Sequence, residues 1–157
     1  MSVAFRREGD DEHLEPKFEL PIPPGPNLVT ERGAKLIEAK VTELGAAIGA
    51  AETEGAAEDA IKSLKRDLRY WNTRHATMEI QPRAVGSEAA FGTRVRYRLN
   101  GRENEVSIVG DDEADPAAGL ISFSSPLARA LIGAGVGDFA DFGGKSDAIE
   151  VLGLSPL

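Results

Sequence analysis

The chain has no cysteine, two histidines and one tryptophan among its 157 residues, and aromatic residues make up only 6% of it. Without cysteine there is no disulfide framework, no thiolate zinc site and no cysteine nucleophile. His13 and His75 stand 62 positions apart and cannot by themselves make a metal site. No apolar run approaches the ~20 residues of a membrane span. The N-terminal stretch MSVAFRREGDDEHLEP lacks the apolar core of a secretory signal. These absences predict a soluble, cytoplasmic protein with no membrane partner. The length fits one domain or two small ones, and 41% hydrophobic residues suffice for a modest core.

The net charge of −8 conceals three blocks. Residues 1–61 carry net −7, residues 62–102 net +7 and residues 103–157 net −8. Taken alone, the total argues against a nucleic-acid binder. The reversal in the middle fits a polarised surface with more than one contact region, or solvated faces that happen to cluster.

Residues 1–29 read as an acidic, proline-rich arm, extended or disordered, with Phe18, Leu20 and Ile22 available for local packing. Thr30 is the expected N-cap of a first helix, with Glu31 in its first turn. Ile37, Val41, Leu44, Ile48 and Ala51 follow at spacings of four and three, a heptad seam. Gly33, Gly45 and Gly49 each weaken that helix by roughly 1 kcal/mol relative to alanine. The pattern breaks at residues 52–57 and resumes with Ile61, Leu64, Leu68, Trp71, His75 and Met78. Two seams joined by a short polar turn predict an antiparallel helical hairpin over 30–81, with Trp71 and His75 packed in the seam. Lys62, Lys65, Arg66, Arg69 and Arg74 fall outside the seam and are expected to face solvent. From Phe91 the period becomes two. Val95, Tyr97 and Leu99 alternate with Arg94, Arg96 and Arg98, and Asn100-Gly101 marks a hairpin turn into a second strand. A loop over 110–116, a short strand over 120–123, a helix over 127–132 opened by Ser125 or Pro126, and strands within 136–142 and 148–154 complete a small antiparallel sheet carrying one helix. The fold class is α+β.

The run Val109-Gly110-Asp111-Asp112-Glu113-Ala114-Asp115-Pro116-Ala117-Ala118-Gly119-Leu120-Ile121-Ser122 resembles the second domain of the bacterial GreA/GreB transcript-cleavage factors. Ser124-Ser125-Pro126-Leu127-Ala128-Arg129-Ala130-Leu131-Ile132-Gly133 and Val136-Gly137-Asp138 extend the match without a gap, over roughly residues 85–154. Thr30-Glu31-Arg32-Gly33-Ala34-Lys35-Leu36 is similar to the start of that family's N-terminal coiled coil. The resemblance implies an FKBP-like second domain over 85–157 that docks on RNA polymerase, and a hairpin that enters the polymerase secondary channel. It implies a transcription elongation factor that meets nascent RNA or DNA only through the polymerase, with no cofactor of its own. Two tip acids would help hold a polymerase Mg²⁺, so that the polymerase, not this chain, hydrolyses backtracked RNA.

The cleavage-competent tip pattern of the family is Asp-Leu-x-Glu-Asn-Ala-Glu-Tyr, whereas this chain reads Gly55-Ala56-Ala57-Glu58-Asp59-Ala60-Ile61. Ala56 stands at the leading Asp position and the closing aromatic is missing. The candidate tip acids are Glu52, Glu54, Glu58 and Asp59, either working near the polymerase metal or serving as solvated turn residues. Lys62, Lys65, Arg66 and Arg69 form the candidate basic face, toward RNA or channel walls, or simply solvent. Asp115, Pro116, Ser125, Pro126 and Arg129 are the candidate polymerase-docking residues, and the acids Asp111, Asp112, Glu113 and Asp115 read as turn formers, a cation loop or a docking surface. The arms look one to two turns shorter than is usual in the family. A non-cleaving regulator that competes for the channel, and an interaction protein like the nucleoside diphosphate kinase regulator, are the other readings. No catalytic residue and no metal site of its own are expected; prolyl isomerase activity, which the FKBP-like fold invites, needs an aromatic-lined pocket that so few aromatics do not supply.

Overall fold

The computed structural model describes residues 19–83 and 86–157. A short strand β1 (Leu28–Val29) leads into helix α1 (Glu31–Glu54), which turns back at the tip into α2 (Glu58–Thr77). Strand β2 (Glu79–Ile80) then runs parallel to β1, so the chain enters and leaves the hairpin side by side. The second half holds β3 (Thr93–Leu99), β4 (Arg102–Val109), β5 (Leu120–Ser122), helix α3 (Pro126–Leu131), β6 (Phe139–Phe142) and β7 (Lys145–Pro156). Their sheet order is β5-β4-β3-β7-β6. All pairs are antiparallel except β4 with β5, which makes the sheet mixed at that edge.

Local chemistry accounts for the element ends. The Thr30 side chain accepts a 3.0 Å hydrogen bond from the Gly33 amide and caps α1. Gly55, at φ +69°, closes α1 in the left-handed region. Only Gly55, Ala56 and Ala57 separate the helices, a tighter turn than the sequence pattern marks. Asn100 and Gly101 both have positive φ, as a two-residue hairpin turn of type I′ requires. Ser125 caps α3 and Pro126 occupies its first position.

The sheet buries one face. Val95 and Tyr97 of β3, Ile108 of β4, Ile149 and Val151 of β7, and Ala128 and Leu131 of α3 form its core. Arg94, Arg96 and Arg98 line the opposite, exposed face as the alternation predicts. There Arg96 pairs with Glu103 at 2.9 Å and Arg98 with Glu150 at 2.8 Å.

Three expectations need correction. His75 is exposed, and Arg74 instead points inward as the largest fully buried side chain. The base of the seam therefore reads Trp71, Arg74, Met78, because the three–four spacing admits either position between 71 and 78. The end of the arm is ordered: Asn27 is buried, Leu28 and Val29 form β1, and Val29 packs with Ala34, Ile37, Trp71 and Met78. Ile22 is exposed rather than packed, while Leu20 is half-buried. Phe18 and residues 1–17 lie outside the described residues.

Candidate functional site

At the hairpin tip, Glu52 and Glu54 end α1 and Glu58 and Asp59 open α2, all four exposed. Ala57, the N-cap of α2, supplies no capping side chain, so acids in the next turn offset the positive helix end. Glu52 reaches back to Lys65 at 3.5 Å, and Glu58 to Lys62 at 3.9 Å. Glu58 and Asp59 are consecutive, and neighbours in a helix splay by about 100° rather than converge. No group of three or more His, Asp or Glu among the described residues is placed to hold a metal ion. On the same helix Arg66 pairs with Asp67 at 3.1 Å. Arg69 grips Glu19 of the arm through Nε at 3.0 Å and Nη2 at 2.5 Å. That guanidinium holds the Glu19 carboxyl below the usual range.

The base of the hairpin meets the second half through a constellation that sequence reasoning missed. The turn Asp111–Glu113 presents its carboxylates to α1 and α2. Arg74 Nε donates to Asp112 Oδ2 at 2.6 Å, with the two side chains 2% and 6% exposed. Arg74 Nη2 donates to Asn27 Oδ1 at 2.7 Å, and Asn27 Nδ2 donates to the Arg74 carbonyl at 2.9 Å. The Tyr70 hydroxyl donates to the other oxygen of Asp112. Burial, reinforced by that bond, pushes the Tyr70 phenol well above its ordinary range. Glu113 accepts from Thr30 Oγ1 at 2.5 Å and from Arg32 at 3.1 Å. Asp111 accepts from Ser122 and Ser124 through Oδ1, while its Oδ2 lies 3.9 Å from Arg74 Nη2. Two glycines let the halves approach. A Cβ on Gly110 would sit 2.3 Å from the Leu28 carbonyl oxygen, and one on Gly33 would sit 2.9 Å from Glu113 Oε1. The run Asp111–Glu113 is thus a turn whose acids dock on the chain's own hairpin. Arg74 had no signal linking it to acids 38 positions away; the one clue was its fit to the seam spacing.

The candidate docking residues flank β5. Asp115 bridges Leu120 through backbone bonds of 2.8 and 3.0 Å, and Pro116 opens an exposed turn. Beyond the other end of the strand, the Ser125 amide donates to the Ser122 carbonyl at 2.9 Å, followed by exposed Pro126 and Arg129. From the end of α3 into β6, Ile132, Val136 and Phe139 remain exposed. A cleft of about 450 Å³ opens between the first turn of α1 and the sheet, with Arg32, Lys35, Arg83, Arg94, Phe91 and Ser107 on its walls.

Comparison with known proteins follows the same division. The family model "Transcription elongation factor, GreA/GreB, C-term" matches residues 84–153. Transcription elongation factor GreA of Sinorhizobium medicae (strain WSM419) is 48% identical over 73 residues, 44% of this chain and 46% of that protein. GreA of Methylobacterium nodulans is 45% identical over 76 residues, 45% of this chain and 47% of that one. The chain spans about half the length of the curated relatives it matches. Among solved structures, GreA factor homolog 1 (Gfh1) of Thermus thermophilus is 17% identical, over 83% of this chain and 99% of that one, at a TM-score of 0.37. A GreA/GreB factor from Nitrosomonas europaea is 16% identical, over 84% and 99%, at 0.39. At such scores the whole-chain superposition carries no argument, and the assignment rests on the second half. Residues 84–153 match the GreA/GreB C-terminal domain, and the likeness to named GreA factors is confined to that half of the chain.

Proposed function

We propose that this protein is a GreA/GreB-type transcription elongation factor that docks on RNA polymerase through its second half and places its hairpin in the secondary channel. The observation that carries this reading is a hairpin fixed to a GreA/GreB C-terminal domain by the buried Arg74–Asp112 pair. A 24-residue first arm reaches about 36 Å. The docking face would centre on Asp115, Pro116, Ser125, Pro126 and Arg129, with exposed Ile132, Val136 and Phe139 beside it. Exposed apolar side chains next to a charged anchor are the usual make-up of a protein-binding patch.

The tip favours a regulator that occupies the channel without stimulating cleavage. Mg²⁺ takes several oxygen ligands at about 2.1 Å in near-octahedral geometry. Here Ala56 stands where the family pattern has an acid, Glu52 and Glu58 face lysines, and Glu58 and Asp59 diverge. These residues do not fit shared ligation of a second metal, and no step is routed through one. The protein would perform no chemistry of its own.

Co-purification with core RNA polymerase tests the first step, and absence of binding overturns the reading. Arg129→Glu is expected to weaken binding about tenfold, the order of one charge-assisted contact. A cleavage assay on stalled elongation complexes tests the second step. The expected outcome is no more cleavage than the polymerase gives alone. Stimulation lost in Glu58→Ala plus Asp59→Ala would instead establish a working tip.

A further inference from the structure

The cleft beneath the first turn of α1 is not part of the tip or of the docking face. Its walls come from both halves of the chain: the start of α1, the segment after β2, and strands β3, β4 and β5. Its volume, about 450 Å³, lies in the range of small-molecule sites. Arg32, Lys35, Arg83 and Arg94 bring positive charge against Glu31 and Glu113. Glu113 is already held by Thr30 and Arg32. Arg94 has only a loose 3.9 Å approach to Glu105. Lys35 and Arg83 have no ion-pair partner among the described residues. The balance left inside the cleft is therefore cationic.

A hydroxyl marks the floor. Ser107 is 6% exposed and lies on the cleft wall. Val106 and Ile108 point to the core, so strand alternation turns Ser107 to the same side as Arg94, its ladder partner. The Ser107 hydroxyl has no hydrogen-bond partner among the described residues. No buried side-chain polar atom among the described residues lacks a partner, so this hydroxyl is open to the cleft and available to a ligand there. Beside it, Phe91, Pro82, Val109 and Leu120 supply an apolar and aromatic surface.

We propose that this cleft binds a nucleoside phosphate, its phosphates on Lys35, Arg83 and Arg94, its ring against Phe91, and one base or sugar group on the Ser107 hydroxyl. Cations bind phosphate as charge-assisted donors, an aromatic ring accepts a base, and a single hydroxyl on the wall fixes orientation. Because the walls come from both halves, the bound ligand would clamp the start of α1 to the sheet. The inference does not depend on the polymerase reading, and its test needs no polymerase.

Isothermal titration calorimetry of the full chain with GTP, ATP, pyrophosphate and guanosine supplies that test. Saturable 1:1 binding of a nucleotide is expected, tighter than that of pyrophosphate or guanosine. Lys35→Ala plus Arg83→Ala, both exposed positions, should weaken it at least about tenfold with an unchanged thermal melt. Ser107→Val should weaken nucleotide binding and leave pyrophosphate binding unchanged. Absence of saturable nucleotide binding, or binding indifferent to the double variant, overturns the proposal. Pyrophosphate binding as tight as the nucleotide also overturns it, by reducing the site to one for bare phosphate.

Discussion

Arg74 shows how one residue can join two halves. Its guanidinium is withdrawn from water and held by Asp112 and Asn27. A buried ion pair is not strongly stabilising in itself, but removing one member strands the other charge, at a cost of about 3–5 kcal/mol. Arg74→Ala is therefore expected to lower unfolding stability by that amount, measured by urea denaturation, and Asp112→Ala in the same background should add little. Tyr70 adds a pH dependence. Its phenol is raised in the folded state, first by burial and then by Asp112, so its stabilisation is fully present below the unfolded value near pH 10. That contribution is lost as the pH climbs toward the folded value. The stability gap between wild type and Tyr70→Phe should shrink above about pH 10, and thermal melts across pH 8–11 will read it.

At the scale of elements, the hairpin is built from compromises. Gly45 and Gly49 lie inside α1, and a Cβ on either would meet nothing within 4 Å. Gly45→Ala plus Gly49→Ala should raise stability by about 1 kcal/mol per site, seen as a higher Tm, since glycine is the poorer helix former. Gly110 is the opposite case, because the β1 backbone occupies the place of its side chain. Much of this layer was legible in the sequence. Thr30 as a cap, Asn100-Gly101 as a turn and Ser125-Pro126 as a helix start each depend on chemistry within four residues. The phase of α2 at its base was not legible, because hydrophobicity votes against burying Arg74, and only the acids of the distant Asp111–Glu113 turn reverse that vote. The β1–β2 ribbon escaped for a similar reason: two-residue strands carry no periodicity, and tertiary pairing creates them. The tip acids were legible as residues, but their pairing with Lys62 and Lys65 came from how the two arms meet.

For the whole molecule, the charge blocks acquire a meaning that the sequence left open. Much of the basic middle block is answered within the chain: Arg74 by Asp112, Arg96 and Arg98 by sheet glutamates, and Arg69 by Glu19 of the arm. Exposed pairs of this kind are worth little and yield to a stronger anion, so the α2 face is masked rather than neutralised for good. The halves should also melt as one unit while the joint holds. Gly110→Ala, which forces β1 away from the second half, is expected to split the single thermal transition into two, followed by calorimetry.

The side-by-side entry and exit of the chain at β1 and β2 makes the hairpin a lever pivoted at one end. An arm of about 36 Å turns a tilt of about 5° at the pivot into about 3 Å of travel at the tip. Few-ångström differences decide whether a group contacts its target, so the aim of the tip is set where Arg74, Asn27 and Asp112 meet, at the far end of the molecule.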